Sequence, residues 1–209
     1  MGGDLSPERL LAAYRNGIFP WYGEDDPILW WSPDPRMLLF PEKIHVARRL
    51  RRVIRRHIFE VTADTAFKEV IENCAAAPRS GQKGTWILPE MIQAYKRLHR
   101  LGYAHSVEVR RDGELVGGLY GVSVGACFFG ESMYSQVSNA SKIAMAALMR
   151  QCRRWEFAFM DCQMPTPHLT RMGAEPVPRA TFLKLLQKAL RRPTRRGLWQ
   201  MDADIFSDI

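Results

Sequence analysis

The dipeptide Asp112-Gly113 constrains the fold of this 209-residue chain more than any other feature. Asp-Gly tolerates the left-handed backbone that a two-residue hairpin turn demands, and here it separates two runs of strand-forming residues. Residues 106–110 alternate in polarity before it, and residues 115–122 continue as a strand after it. Residues 126–129 read as a third strand. A helix follows from Ser138 or Asn139, with Ala140, Ile143, Ala144, Ala147 and Leu148 on one face. Residues 157–163 read as a buried strand, a short helix ends at Gly173, and a last helix packs Phe182, Leu185, Leu186, Ala189 and Leu190. Consecutive strands followed by helix, strand and helix is α+β ordering, with a mainly antiparallel sheet.

Upstream, residues 6–16 read as a helix with Ser6 as N-cap, Pro7 at its first position and Gly17 as its stop. Residues 17–36, GIFPWYGEDDPILWWSPDPR, hold three tryptophans and four prolines. That density predicts an irregular segment whose aromatics either pin it to the core or bind a ligand. In residues 42–57, EKIHVARRLRRVIRRH, the spacing predicts a helix with Ile44, Ala47, Leu50 and Ile54 inward. Arg48, Arg49, Arg51, Arg52, Arg55 and Arg56 fill most of the remainder. Six arginines in nine residues repel one another unless an anion neutralises them, and a solvated helix face normally mixes signs. The pattern points to phosphate. Residues 57–63 then read as a strand, and Asp64 as the cap of a helix burying Phe67, Val70, Ile71 and Cys74. Residues 78–84 form a loop, and Pro89 opens a helix with Ile92, Tyr95 and Leu98 inward and Gly102 as its stop.

Net charge is +8, and 23 of the 30 basic residues are arginine, whose planar fork suits phosphates and bases. An anionic partner, nucleic acid above all, is therefore expected. No apolar run approaches the roughly 18 residues of a membrane span. The start MGGDLSPERLL lacks the basic-then-apolar pattern of a signal peptide, so a cytoplasmic protein is expected. Gly2 and Ser6 fit a loose myristoylation pattern, but Ser6-Pro7-Glu8 reads better as a helix start. Cys74, Cys127, Cys152 and Cys162 form no CxxC and sit in apolar stretches, which predicts buried reduced thiols. The histidines show no metal-ligand spacing. Neither metal nor cofactor is expected.

The strings GGDLSPERLL, AYRNGIFPW, PILWWSPDPR, GTWI, AYKRLHRLGYAHSVEV, ELVGGLYGV, FFGESMYS, NASK and DCQ occur in order along most of the chain. Together they resemble the leucyl/phenylalanyl-tRNA–protein transferase family. The resemblance implies an enzyme that moves Leu or Phe, less readily Met, from aminoacyl-tRNA to proteins beginning with Arg or Lys. Its products are marked for degradation through the bacterial N-end rule. It also implies a monomer, with a small N-terminal domain (residues 1–36) on an acetyltransferase-like (GNAT-like) catalytic domain (residues 37–209). Two departures stand out. Relatives carry further residues before GGDLSP, and DCQ is followed by MPTPHL, where relatives often have an Asn before the His.

An aminoacyl ester is already activated, and an α-amine with a pKa near 7.7–8.0 needs only to lose a proton. Positioning and modest proton handling suffice, so no covalent nucleophile is expected. Resemblance makes Asp161 and Gln163 the catalytic pair, and on a strand residues two apart share a face. Gln163 would contact the incoming amine while Asp161 orients and polarises it. Glu131 matches the family's acidic site residue and suits a cationic acceptor. Leu119, Phe128, Met133, Met145, Leu148 and Met160 match the pocket for the donor's side chain, although ordinary core explains each equally well. Trp21 and Trp86 match positions assigned to the terminal adenosine of tRNA. Two rival readings remain. An acetyltransferase using acetyl-CoA lacks its glycine turn here, since residues 134–142, YSQVSNASK, contain no glycine. An RNA-binding module leaves Asp161, Gln163 and Glu131 unexplained.

Overall fold

The computed structural model describes residues 1–78 and 85–209, and most of the loop predicted over 78–84 lies outside them. Helix α1 (Pro7–Arg15) starts where the Ser6 hydroxyl accepts from the Arg9 N–H, and the chain leaves it through Gly17 at φ 69°. A two-rung ladder of β1 (Phe19–Pro20) and β2 (Trp30–Trp31) closes the aromatic segment. Strand β3 (Arg36–Leu39) follows, then α2 (Arg48–Ile54).

Helix α2 is shorter than the helix predicted over 42–57. Pro41 opens a separate 3-10 turn, Pro41–Lys43, and Ile44 and Ala47 are extended, with ψ 118° and 147°. Val46 rather than Ala47 therefore turns inward, and Ala47 is exposed. The next strand, β4, spans only Glu60–Ala63, because His57 takes a left-handed φ of 50°. Asp64 does not cap α3 (Phe67–Ala76), whose cap position is Ala66. Its carboxylate instead accepts from the N–H of Ser106 and of Trp199, and pairs with His105 Nδ1 at 2.8 Å. The predicted face of Phe67, Val70, Ile71 and Cys74 is buried. In α4 (Pro89–Arg100), Met91, Ala94, Tyr95 and Leu98 are buried, while Ile92 is half-buried.

Asp112 and Gly113 adopt φ 52° and 82° and join β5 (Ala104–Arg111) to β6 (Glu114–Val124). Then come β7 (Cys127–Ser135), α5 (Ala140–Arg154), β8 (Phe159–Asp161), α6 (Pro167–Arg171), β9 (Glu175–Val177) and α7 (Arg179–Ala189). The main sheet runs β4-β5-β6-β7-β8-β3-β9, with β7 and β8 parallel and every other neighbouring pair antiparallel. Strand alternation divides the core in two. Leu38, Tyr120 and Phe129 pack with α1, α3, α4 and α7, whereas Met37, Leu39, Leu119 and Phe128 pack with α2 and α5. All four cysteines are buried and unbridged. Among the described residues no helix is long and apolar enough to cross a membrane.

Strand β3 enters the sheet between β8 and β9, far from its sequence neighbours. Its first residue, Arg36, is fully buried and meets Asp161 of β8 in a fork, Nε to Oδ1 at 2.8 Å and Nη2 to Oδ2 at 2.7 Å. The guanidinium lies over the rings of Phe19 (4.9 Å) and Phe182 (4.6 Å). Removing one partner leaves the other as an unpaired buried charge. Arg36→Ala should therefore cost about 3–5 kcal/mol, and Arg36→Met combined with Asp161→Leu should recover much of that loss. Urea denaturation measures both. A single-variant loss below about 1 kcal/mol, the range of exposed pairs, would show that the fork does not hold the sheet together.

Candidate active site

The parallel ladder of β7 and β8 ends at the rung Phe129–Asp161. Two residues past that rung on either side stand Glu131 and Gln163, and a two-part cleft opens where they meet. A β-bulge places Glu131. Gly121 pairs with Gly130 and Tyr120 with Ser132, so Glu131 is the extra residue of β7. The bulge needs glycine: a Cβ on Gly121 would stand 2.2 Å from the Phe129 carbonyl oxygen.

The Glu131 carboxylate accepts from Tyr14 Oη at 2.7 Å and from Tyr95 Oη at 2.9 Å, and the two phenol oxygens are 2.6 Å apart. Burial pushes the Glu131 pKa up to about 7, against the downward pull of both hydroxyls; nearby Asp161 raises it further, while Arg36 lowers it. Burial, and then the charge of Glu131, drive both phenols well above the usual tyrosine range. They therefore serve as hydrogen-bond donors at neutral pH.

Gln163 is not on a strand. Strand β8 ends at Asp161, and Gln163 takes a left-handed φ of 56°. The rule that residues two apart on a strand share a face thus fails here. Gln163 is fixed through its backbone instead: its N–H donates to Asp161 Oδ1 at 2.9 Å and its carbonyl accepts from Met37 N–H at 3.0 Å. Its side-chain Nε2 is buried and has no hydrogen-bond partner among the described residues. Asp161 itself is fully buried against Arg36 and lines neither part of the cleft, so it reaches the site through that N–H and through its charge on Glu131.

The outer part of the cleft encloses about 260 Å³ and is walled by Phe19, Trp21, Trp86 and Met164, with Glu131 and Gln163 lining it too. The inner part, about 100 Å³, is lined by Leu119, Met133, Met145 and Met160 together with Tyr120 and Leu169. Glu131, Cys162, Gln163 and Leu169 line both. Phe128 and Leu148 line neither. Phe128 sits five residues before Met133 on the same strand and packs toward Trp199, ring centroids 5.7 Å apart, while Leu148 lies fully buried one turn beyond Met145. The family resemblance named both as pocket residues, but neither stands beside the opening.

The six arginines of residues 48–56 are all exposed and none lines the cleft. Among the described residues no side-chain carboxylate lies within ion-pair distance of any of them. Sequence reasoning missed Arg36 and the polar use of Tyr14 and Tyr95. The tyrosines did carry a signal, because a phenol at an inward helical position needs a partner for its hydroxyl. Arg36 carried none, since only the insertion of β3 brings it to Asp161.

Comparison with known proteins matches nearly the whole chain by sequence. The family model described as leucyl/phenylalanyl-tRNA protein transferase matches residues 38–187, and that of the same enzyme's N-terminal domain matches residues 3–34. A leucyl/phenylalanyl-tRNA–protein transferase of Anaeromyxobacter sp. (strain Fw109-5) is 59% identical over 203 residues, covering 97% of this chain and 86% of that one. One from Desulfatibacillum aliphaticivorans is 56% identical over 204 residues, covering 98% and 88%. Among solved structures, L-PGS from Bacillus licheniformis gives a TM-score of 0.42 at 10% identity over 78% of this chain and 52% of that one, too slight a likeness to carry an argument. By its sequence relatives, the chain belongs to the leucyl/phenylalanyl-tRNA–protein transferase family and is an aminoacyltransferase.

Proposed function

We propose that this enzyme transfers Leu or Phe, and less readily Met, from aminoacyl-tRNA to the N-terminal Arg or Lys of proteins, marking them for N-end-rule degradation. The observation that carries this reading is the two-part cleft with Glu131 and Gln163 where its parts meet. The outer part suits the terminal adenosine, with Trp21 and Trp86 as aromatic walls on which a base can stack for about 1–3 kcal/mol. The inner part suits one apolar side chain. Met133, Met145 and Met160 give it a lining that repacks around Leu, Phe or Met. The ester carbonyl then lies near Gln163, and an acceptor approaching past Glu131 meets a carboxylate for its cationic group.

In the reaction the neutral α-amine attacks the ester carbonyl, a C–N bond forms and the bond from the carbonyl carbon to the ribose oxygen breaks. One proton leaves the amine and one reaches the departing ribose oxygen. The chain's part is to hold these atoms together. Gln163 meets the incoming amine with its side-chain amide, and Asp161, clamped by Arg36, fixes Gln163 through its backbone N–H. Arg48, Arg49, Arg51, Arg52, Arg55 and Arg56 hold the phosphates of the acceptor stem. The same reading makes residues 1–36 a small N-terminal domain, residues 37–209 an acetyltransferase-like domain, and the protein a cytoplasmic monomer. The glycine-free turn over 134–142 favours aminoacyl-tRNA over acetyl-CoA as donor.

Incubation with labelled Phe-tRNA, labelled acetyl-CoA and a protein beginning with Arg should make only the phenylalanyl label acid-stable. Label from acetyl-CoA, or from neither donor, would overturn the reading. Gln163→Ala should lower turnover by about 10²-fold or more while tRNA binding is kept.

Glu131 ties acceptor binding to pH. Its pKa lies near 7, above the 4.5 of a free glutamate, and a cationic acceptor needs the ionised form. The acceptor KM should therefore rise as pH falls below about 7, approaching tenfold per unit. Tyr14→Phe removes a hydrogen bond that favours the carboxylate and should move the break to higher pH. For the fold the sign is opposite. Glu131 favours the folded state while protonated, and that contribution declines as pH rises from about 4.5 through 7. Glu131→Gln should thus leave thermal stability at pH 8 unchanged or higher while acceptor binding is lost. An acceptor KM that ignores pH between 6 and 8, about a unit either side of that pKa, would rule Glu131 out as the cation's partner.

A further inference from the structure

Five arginines converge at the far end of α5. Arg51 comes from α2, Arg55 from the residue after it, and Arg150, Arg153 and Arg154 from the end of α5; with Glu42 they line a groove of about 570 Å³ that shares no lining residue with the cleft. The opposite wall is Ser207, Asp208 and Ile209, the end of a segment beyond Arg196 that also carries Asp202 and Asp204 and no basic residue. Arg154 Nη1 pairs with Asp202 at 2.6 Å and Asp204 at 2.5 Å, Arg150 pairs with Asp208, and Arg55 Nε donates to the main-chain oxygen of Ile209 at 2.8 Å. Arg51 and Arg153 have no carboxylate within ion-pair distance among the described residues. With Glu42 counted beside Asp202, Asp204 and Asp208, five guanidiniums meet four side-chain carboxylates, and Arg150 has a lowered pKa, caused by burial and then by Arg154 and Arg153. The two guanidiniums left without a carboxylate, Arg51 and Arg153, suit phosphodiester oxygens.

The aspartates are held loosely. Their side chains are 42%, 67% and 71% exposed, and exposed pairs contribute about 0.2–1 kcal/mol each and fade with salt. What anchors the segment is apolar: Trp199 and Ile205 are 3% and 5% exposed, and the Asp202 N–H donates to buried Gln151. The carboxylates can therefore yield their arginines to another anion without unfolding the segment that carries them.

We propose that the groove between α2 and α5 is a phosphate-binding surface for the RNA donor, in which Asp202, Asp204 and Asp208 stand in for phosphates when no RNA is bound. This rests on the aminoacyl-tRNA reading above and extends the RNA footprint from α2 to α5. The aspartates act as an internal competitor. They lower affinity for any polyanion, because each phosphate must displace a carboxylate before it can take the guanidinium.

The test compares kcat/KM for aminoacyl-tRNA with that for a stemless aminoacyl-adenosine donor. Arg153→Glu should lower the ratio about fivefold or more, and Arg153→Gln should lower it less. Asp204→Asn with Asp208→Asn should raise the ratio about threefold. An unchanged ratio in Arg153→Glu, or an unchanged or lower ratio in the aspartate variant, overturns the proposal. Arg48→Glu with Arg52→Glu, on α2 but outside the groove, separates the two levels. If that pair lowers the ratio while the groove variants do not, the groove alone is discarded. If it too has no effect, the reading of α2 as an RNA contact falls as well, and the groove proposal with it.

Discussion

The rest of the structure depends on the buried fork between Arg36 and Asp161. It closes the sheet by fixing β3 against β8, and it joins segments 125 residues apart. Phe19 and Phe182 sandwich the guanidinium, so the aromatic segment that walls the cleft and the last helix are registered on the same charge. Two ions removed from water are stable only when paired with good geometry. Here both Asp161 oxygens are engaged by the fork, and Oδ1 also accepts the N–H of Gln163. A pair that looks purely structural thereby sets the position of a residue that lines the cleft.

The cleft itself follows from an interruption in regular structure. A parallel pair that stops after three rungs leaves backbone and side chains on either side free to diverge. On one side the β-bulge turns Glu131 out of the ladder; on the other, left-handed φ at Gln163 ends β8. Such irregularity weakens a sheet, and here it coincides with the opening of the cleft. The same burial that shapes the site holds Glu131 near its neutral-pH midpoint, with two phenols ready to stabilise its charge. The electrostatics of the outer surface run the other way. There the arginines of α2 are exposed and largely unneutralised, which suits a partner that brings its own negative charge.

Much was legible in the sequence because it depends on local rules. Apolar spacing gave α1, α3, α4, α5 and α7, and Asp112-Gly113 gave the central hairpin. Errors fell where a local rule met a competing one. Proline at 41 split the arginine helix from its predicted start, and Asp64, a good helix cap by type, was drawn instead to the backbone of Ser106 and Trp199.

By itself the sequence determined which faces are apolar, where the arginines cluster, and which motifs place the chain among aminoacyl-tRNA-dependent transferases. Those properties are set by neighbours a few residues apart, or by strings that can be matched one by one. Only the tertiary structure decided that Met133, Met145 and Met160 line an opening while Phe128 and Leu148 fill the core. It alone decided that Arg36 clamps Asp161, and that Tyr14 and Tyr95 converge on Glu131. Periodicity tells which way a side chain points, but not what stands opposite. That depends on strand order and register between distant segments, and on where a ladder stops.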